Sequence, residues 1–133
     1  DGVGILTDIP RELWKKRLAR AGLKESLVYE STFWVAHVMI PASARGRTQN
    51  LIEHITRQLY TAGLEVLLVE PGIVDSHVLG PNAQKNEPAF WQLAGVNGSV
   101  PAEMLEKMLF KLQSLLDHDL GVHFPSFSSH SVV

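Results

Sequence analysis

Residues 33–70 constrain the fold more than any other stretch. Phe33 to Ile40 is a continuous apolar run, interrupted only by His37. Pro41-Ala42-Ser43-Ala44-Arg45-Gly46-Arg47-Thr48 is a loop of small and basic residues. From Thr48 to Ala62 the apolar residues recur at helical spacing: Leu51, Ile52, Ile55 and Leu59 share one face, with Glu53, Arg57 and Gln58 opposite. Ala62-Gly63 ends that helix, and Leu64 to Val69 is a second apolar run. The order strand, loop, helix, strand predicts a βαβ unit. A run apolar on both faces suits a central parallel strand covered by helices on either side. Parallel strands joined by a helix cross over right-handed, which places residues 41–47 at the carboxyl edge of the first strand. His37 within that run reads as a hydrogen-bonded core histidine rather than a ligand.

The flanking segments extend an α/β pattern. Asp8-Ile9-Pro10 opens a helix, with Asp8 as its N-cap and Pro10 where a missing donor costs nothing. Leu13, Trp14, Leu18 and Ala21 fall at helical spacing, Lys15, Lys16, Arg17 and Arg20 fill the other face, and Gly22 is the stop. That basic cluster reads as a solvated face rather than an acidic-partner patch. Leu27-Val28-Tyr29 reads as an edge strand or linker. Residues 71–99, rich in Gly, Pro and Asn, read as a long irregular region. Ser99-Val100-Pro101 starts another helix, whose stripe of Met104, Leu105, Met108, Leu109, Leu112, Leu115 and Leu116 is core packing. Leu120 to Phe124 is expected as a third parallel strand, and 127–133 as a loose tail. The helix 103–117 and Trp91 are alternative contact surfaces, each also explained by packing.

Composition excludes several classes. A chain of 133 residues is one domain's worth, and it reads as a fragment of something longer. Twelve basic against 14 acidic residues, a net charge of −2, give no bulk attraction to nucleic acid. There is no cysteine, hence no disulfide framework and no thiolate chemistry within these residues. No apolar run reaches the ~18 residues of a membrane span. His54, His77, His118, His123 and His130 lack metal-ligand spacing, so no metal site is expected.

The loop is where ligand chemistry is expected. A helix N-terminus has free N–H groups and a partial positive charge. Ser43, Arg45, Arg47 and Thr48 add donors, and Gly46 allows close backbone approach. Residues 41–48 lie without gaps on the phosphate-loop pattern G-x-x-x-x-G-K-[ST], matching at Gly46 and Thr48, with Pro41 for the first glycine and Arg47 for the lysine. The bland alternative is an ordinary turn with surface arginines.

Over a longer stretch, Met39 to Leu51 with Leu59 to Glu70 resembles the P-loop ATPases of the MinD/ParA type, and most of all the bacterial tyrosine kinases of polysaccharide export. Lys85 to Gly95 and Leu115 to Ser126 are similar to later segments of that family. The resemblance covers about residues 33–126. It implies a three-layer parallel sheet flanked by helices, a shortened P-loop NTPase-like domain spanning residues 1–133, with 1–32 as an N-terminal helix and linker. It departs at the chemistry: Arg47 stands for the lysine, Glu70 is the sole acidic remnant of the second strand, and His123 or Phe124 replaces the third strand's aspartate. The reading that follows is a non-catalytic pseudo-ATPase. It would be a cytoplasmic scaffold at the inner face of a bacterial inner membrane, in polysaccharide synthesis or export, with a protein partner and a homodimer, touching the membrane only through that partner. No cofactor is expected, ATP or ADP with Mg²⁺ being the exception to test. Two alternatives stay open: a working nucleotide-binding enzyme using Arg47, Thr48 and Glu70, and an unrelated small α/β anion-binding domain.

Overall fold

The structure, a computed structural model, describes residues 5–72 and 80–133. In chain order the elements are β1 (Thr7–Asp8), α1 (Arg11–Arg20), β2 (Trp34–Ile40), α2 (Thr48–Thr61), β3 (Leu64–Pro71), α3 (Pro81–Lys85), β4 (Ala89–Asn97), α4 (Leu105–Leu120), β5 (His123–Ser128) and β6 (Ser131–Val132). Four strands form the main sheet in the order β3-β4-β2-β5, and β1 pairs with β6 in a small second sheet. Every neighbouring pair in both sheets is antiparallel.

This overturns the expected parallel sheet. β2 and β3 do run in the same direction, since each is antiparallel to β4, but β4 lies between them. Likewise β4 and β5 share a direction with β2 between them. The two β-α-β connections are therefore split and interleaved, the β-α-β-β-α-β arrangement of ferredoxin-like sheets. The inserted strand comes from residues read as irregular. Within β4, Gln92, Gly95 and Asn97 break the apolar pattern that marks a buried strand.

Gly95 has a packing cause. It is the register partner of Trp34, whose fully buried indole donates from Nε1 to the Val96 carbonyl at 3.0 Å. A Cβ at Gly95 would lie 2.6 Å from the Trp34 ring and 2.0 Å from the Glu65 carbonyl oxygen. The indole occupies the space a side chain would need.

Helices cover both faces of the sheet. On one, α2 and α4 bury Leu51, Ile52, Ile55, Leu59, Leu105, Leu109, Leu112 and Leu116 against Trp34, Ala36, Val38, Ile40 and Leu93. On the other, Trp14 and Leu18 of α1 pack with Val28, Phe33, Val35, Leu68, Ala94 and Val96. The alternation of β2 between these clusters is the period-2 pattern of a strand buried on both sides.

Several local expectations are corrected. Asp8 is a strand residue paired with Ser131, and α1 starts after Pro10 with no side-chain cap. Gly22, at φ +75°, does end α1: its N–H bonds the Ala19 carbonyl while Leu23 N–H bonds that of Leu18. Residues 25–29 form a 3₁₀ turn, not a strand. Helix α4 runs to Leu120 and turns at Gly121, so the last strand begins at His123 and the tail is not loose: β5 continues to Ser128 and β6 pairs with β1. Pro125 is tolerated because β5 is an edge strand whose register with β2 shifts there. No helix among the described residues is long and apolar enough to cross a membrane.

Candidate functional site

The residues proposed to cradle phosphate form a connector. Residues 42–47 wind as a 3₁₀ helix after Pro41, with Ala44 buried beneath it. Arg45 reaches away from the start of α2 and donates to the carbonyls of Glu87, Gln84 and Lys85 at 2.7, 3.4 and 3.5 Å. It thereby closes the end of α3 onto the β2–α2 turn, beside a cleft of about 450 Å³ that Phe90 and Trp91 also line. Thr48 Oγ1 donates to the Arg45 carbonyl at 2.9 Å. Gly46 has negative φ, and a Cβ there would meet nothing within 4 Å, so no close approach requires glycine. Ser43, Arg47 and Thr48 lie on the exposed side or partly buried flank of this turn. Glu70 is not beside them in register: it pairs with Gln92 inside the sheet.

That pairing belongs to a polar row across all four strands. Glu70, Gln92, His37 and Ser126 are successive register partners, so they share the face that α1 covers. Arg17 of α1 reaches down to the row. Its guanidinium lies 4.5 Å over the Trp14 ring and donates to Gln92 Oε1 at 2.7 Å. Gln92 Nε2 is 3.2 Å from His37 Nε2. Arginine has no acceptor, so it fixes the orientation of the Gln92 amide. The amide then presents N–H to His37 Nε2, which must accept, leaving the imidazole proton on Nδ1. Burial pushes the His37 pKa below its ordinary value and the Arg17 charge adds to this, opposed by a hydrogen bond to the Val133 main chain. His37 is thus held neutral with its Nε2 lone pair engaged. Phe90 packs edge-on against it at 5.3 Å.

The hydroxyls near the row are committed to the backbone frame. Ser126 Oγ accepts from Val133 N–H at 3.3 Å. Glu106 of α4 holds Ser129 through its N–H at 2.6 Å and its Oγ at 2.5 Å, and takes the Ser128 hydroxyl at 3.2 Å. From the opposite side Arg11 donates to the Ser129 carbonyl at 3.3 Å and to the Val28 carbonyl. These contacts pin the turn that passes the chain from the main sheet to β6. Among the described residues no serine or threonine hydroxyl is hydrogen-bonded to a histidine ring, the geometry a hydroxyl nucleophile needs. No group of three or more metal-binding side chains occurs among them either. His77 lies outside the described residues.

Of the row, sequence reading singled out His37 and Glu70 and missed Gln92, Arg17 and Ser126. A polar residue in each apolar run was the available signal. Joining them needs the strand order, which puts residues 55 positions apart side by side.

These features define a class: a helix-backed antiparallel sheet with a partly buried polar row across its strands. The family model for class-II glutamine amidotransferases matches residues 1–133. The chain belongs to that family, whose fold is an antiparallel sheet of the N-terminal-nucleophile type. No curated protein matches the chain. The resemblance to MinD/ParA ATPases and polysaccharide kinases is therefore overturned, and with it the pseudo-ATPase scaffold in polysaccharide synthesis. A strand, a loop with GxT and an amphipathic helix occur in both folds; the direction of the neighbouring strand separates them.

Proposed function

We propose that this chain serves an enzyme that takes the side-chain amide nitrogen from glutamine. The observation that carries the reading is the family match along the whole chain. The chemistry is acyl transfer. A nucleophile adds to the amide carbonyl, the C–N bond breaks with a proton delivered to the departing ammonia, and water then releases glutamate. The sequence contains no thiol, the hydroxyls of Ser126, Ser128 and Ser129 are tied to the frame, and no described hydroxyl is hydrogen-bonded to a histidine ring. The attacking group in this reading comes from residues other than those described. The chain's own part is to build the sheet layer and its helical backing, which holds such a site to the sub-ångström tolerance that acyl transfer demands.

The test is ammonia and glutamate release from L-glutamine by the full natural protein that carries these residues. Glutamate and ammonia formed in equal amounts, with asparagine inert, support the reading. Absence of glutamine turnover by folded protein, in the presence and absence of candidate amide acceptors, overturns it.

A further inference from the structure

The hydrogen-bond chain from α1 into the sheet has only one self-consistent arrangement of donors while His37 is neutral. Arg17 offers protons alone, Gln92 Oε1 receives one at 2.7 Å, and Gln92 Nε2 gives one to His37 Nε2 across 3.2 Å. Protonating His37 puts N–H on Nε2, facing the Gln92 NH₂. Two donors then oppose each other in a site where His37 is only 8 % exposed. Rotating the amide by half a turn restores that bond, because Oε1 then accepts from His37. The same rotation turns NH₂ toward Arg17, which cannot accept. The Gln92 amide can therefore satisfy Arg17 or a protonated His37, never both.

We infer that Gln92 is an amide switch through which the protonation state of His37 docks or releases Arg17, and with it the C-terminal half of α1. Among the described residues, helix α1 makes polar contacts at its first turn, where Glu12 also accepts from the Tyr29 hydroxyl, and further along at Arg17. Arg11 fixes its first turn to the carbonyls of Val28, Glu30 and Ser129, and Arg17 fixes its last turns to the sheet. Loss of the second leaves Trp14 and Leu18 packed but unlatched. Release of a partly exposed helix end is the low-energy kind of local opening.

Among the described residues, the groups placed against His37 come from every element packed on it. Arg17 approaches from α1 through Gln92, Glu70 stands beyond Gln92 on β3, Ser126 is opposite on β5, Phe90 is on β4, and the Val133 main chain closes the remaining side. Burial and the Arg17 charge hold the neutral state at neutral pH, so the switch operates on acidification. This inference concerns the α1 docking site and does not depend on the glutamine chemistry.

The test is hydrogen–deuterium exchange of the α1 peptides in the full chain between pH 8 and pH 4.5, corrected for intrinsic exchange, alongside ¹⁵N spectra of the His37 ring. The expected result is an Nδ1–H tautomer at pH 8. As His37 titrates, protection of residues 17–21 falls about tenfold while that of α2 and α4 is unchanged. In Gln92→Leu the protection of residues 17–21 no longer follows His37. An Nε2–H tautomer at pH 8, constant α1 protection through the His37 titration, or the same drop in Gln92→Leu each overturns the inference. If Gln92→Leu does not fold, the tautomer and the wild-type protection profile decide it alone.

Discussion

Gly95→Ala is the sharpest single perturbation of this fold. The new methyl would sit 2.0 Å from the Glu65 carbonyl oxygen and 2.6 Å from Trp34 Cζ2, against 3.4 Å or more for ordinary contact. Neither obstacle can move cheaply. The carbonyl belongs to β3, held in register with β4 from Leu64 to Pro71. The indole is wholly buried, hydrogen-bonded to Val96, and packed against Phe127 at 5.4 Å. Relief requires β3 to peel away from β4 near its bulge at Leu67, where register already shifts between Val66 and Leu68. Overpacking of a rigid core costs about 1–3 kcal/mol. Loss of one or two ladder hydrogen bonds adds about 1 kcal/mol each. The entropy removed from the unfolded chain returns about 0.4–1 kcal/mol. The net expectation is about 3 kcal/mol of lost stability, a large share of what a domain this size has.

Urea unfolding followed by tryptophan fluorescence measures it, and the midpoint should fall by about 1–2 M with the slope unchanged. A second variant separates the two obstacles. Trp34→Leu removes the ring but leaves the Glu65 carbonyl, so the double mutant should recover at most about 1 kcal/mol relative to additivity. A Gly95→Ala loss below about 1 kcal/mol, or full recovery in the double mutant, would refute the geometry argued for β3 and β4.

Other consequences are equally direct. Glu106→Ala strips the acceptor from the Ser129 N–H and hydroxyl, which are 3 % exposed as a residue, and should lower stability by about 2–4 kcal/mol; a change within 0.5 kcal/mol, an order-of-magnitude surface value, would show the turn is held otherwise. Gly46→Ala should raise stability by about 0.4–1 kcal/mol in thermal melts, because φ there is negative and the site is open; a loss would mean the glycine is required. His37 has a folded pKa below its unfolded value of about 6.5, so the folded state binds fewer protons between the two. Its contribution is complete above pH ~6.5 and is lost as pH falls through that value toward the folded pKa. In His37→Asn, urea stability should lose this part of its acid slope; an unchanged slope would place the acid sensitivity elsewhere.

The three long helices and the strands β2 and β3 are legible in the chain because their periodicities are strong. α2 and α4 show broad apolar stripes, and the run 33–40 announces a strand buried on both faces. What misleads is the inference from that double burial to a parallel sheet. β2 is covered twice because the sheet carries α2 and α4 on one face and α1 on the other, which antiparallel pairing allows as well. Nothing in a strand's own residues reports the direction of its neighbour. That information lies in β4, whose pattern is broken at Gly95 by the demand of Trp34 and at Gln92 by the polar row. The residue that most resists reading as a strand is the one the sheet's central packing requires.

The candidate site fails to show in the sequence for a related reason. A phosphate loop is local: its donors are consecutive, so spacing alone proposes it at residues 41–48. The row of Glu70, Gln92, His37 and Ser126 takes one residue from each strand, and Arg17 joins it from a helix across the core. Each member alone is a polar residue in an apolar run, a mild defect with no stated partner. Burial makes such a defect costly unless it is paired, so a polar residue inside each of several strands carries information jointly. The physical expectation is that the strands place those residues opposite one another. Applied to this chain, that condition favours a register bringing His37 beside Gln92 over one that leaves either against leucine. The pairing β2–β4 then follows, while its antiparallel direction, which separates this fold from a nucleotide-binding one, is set only in the folded sheet.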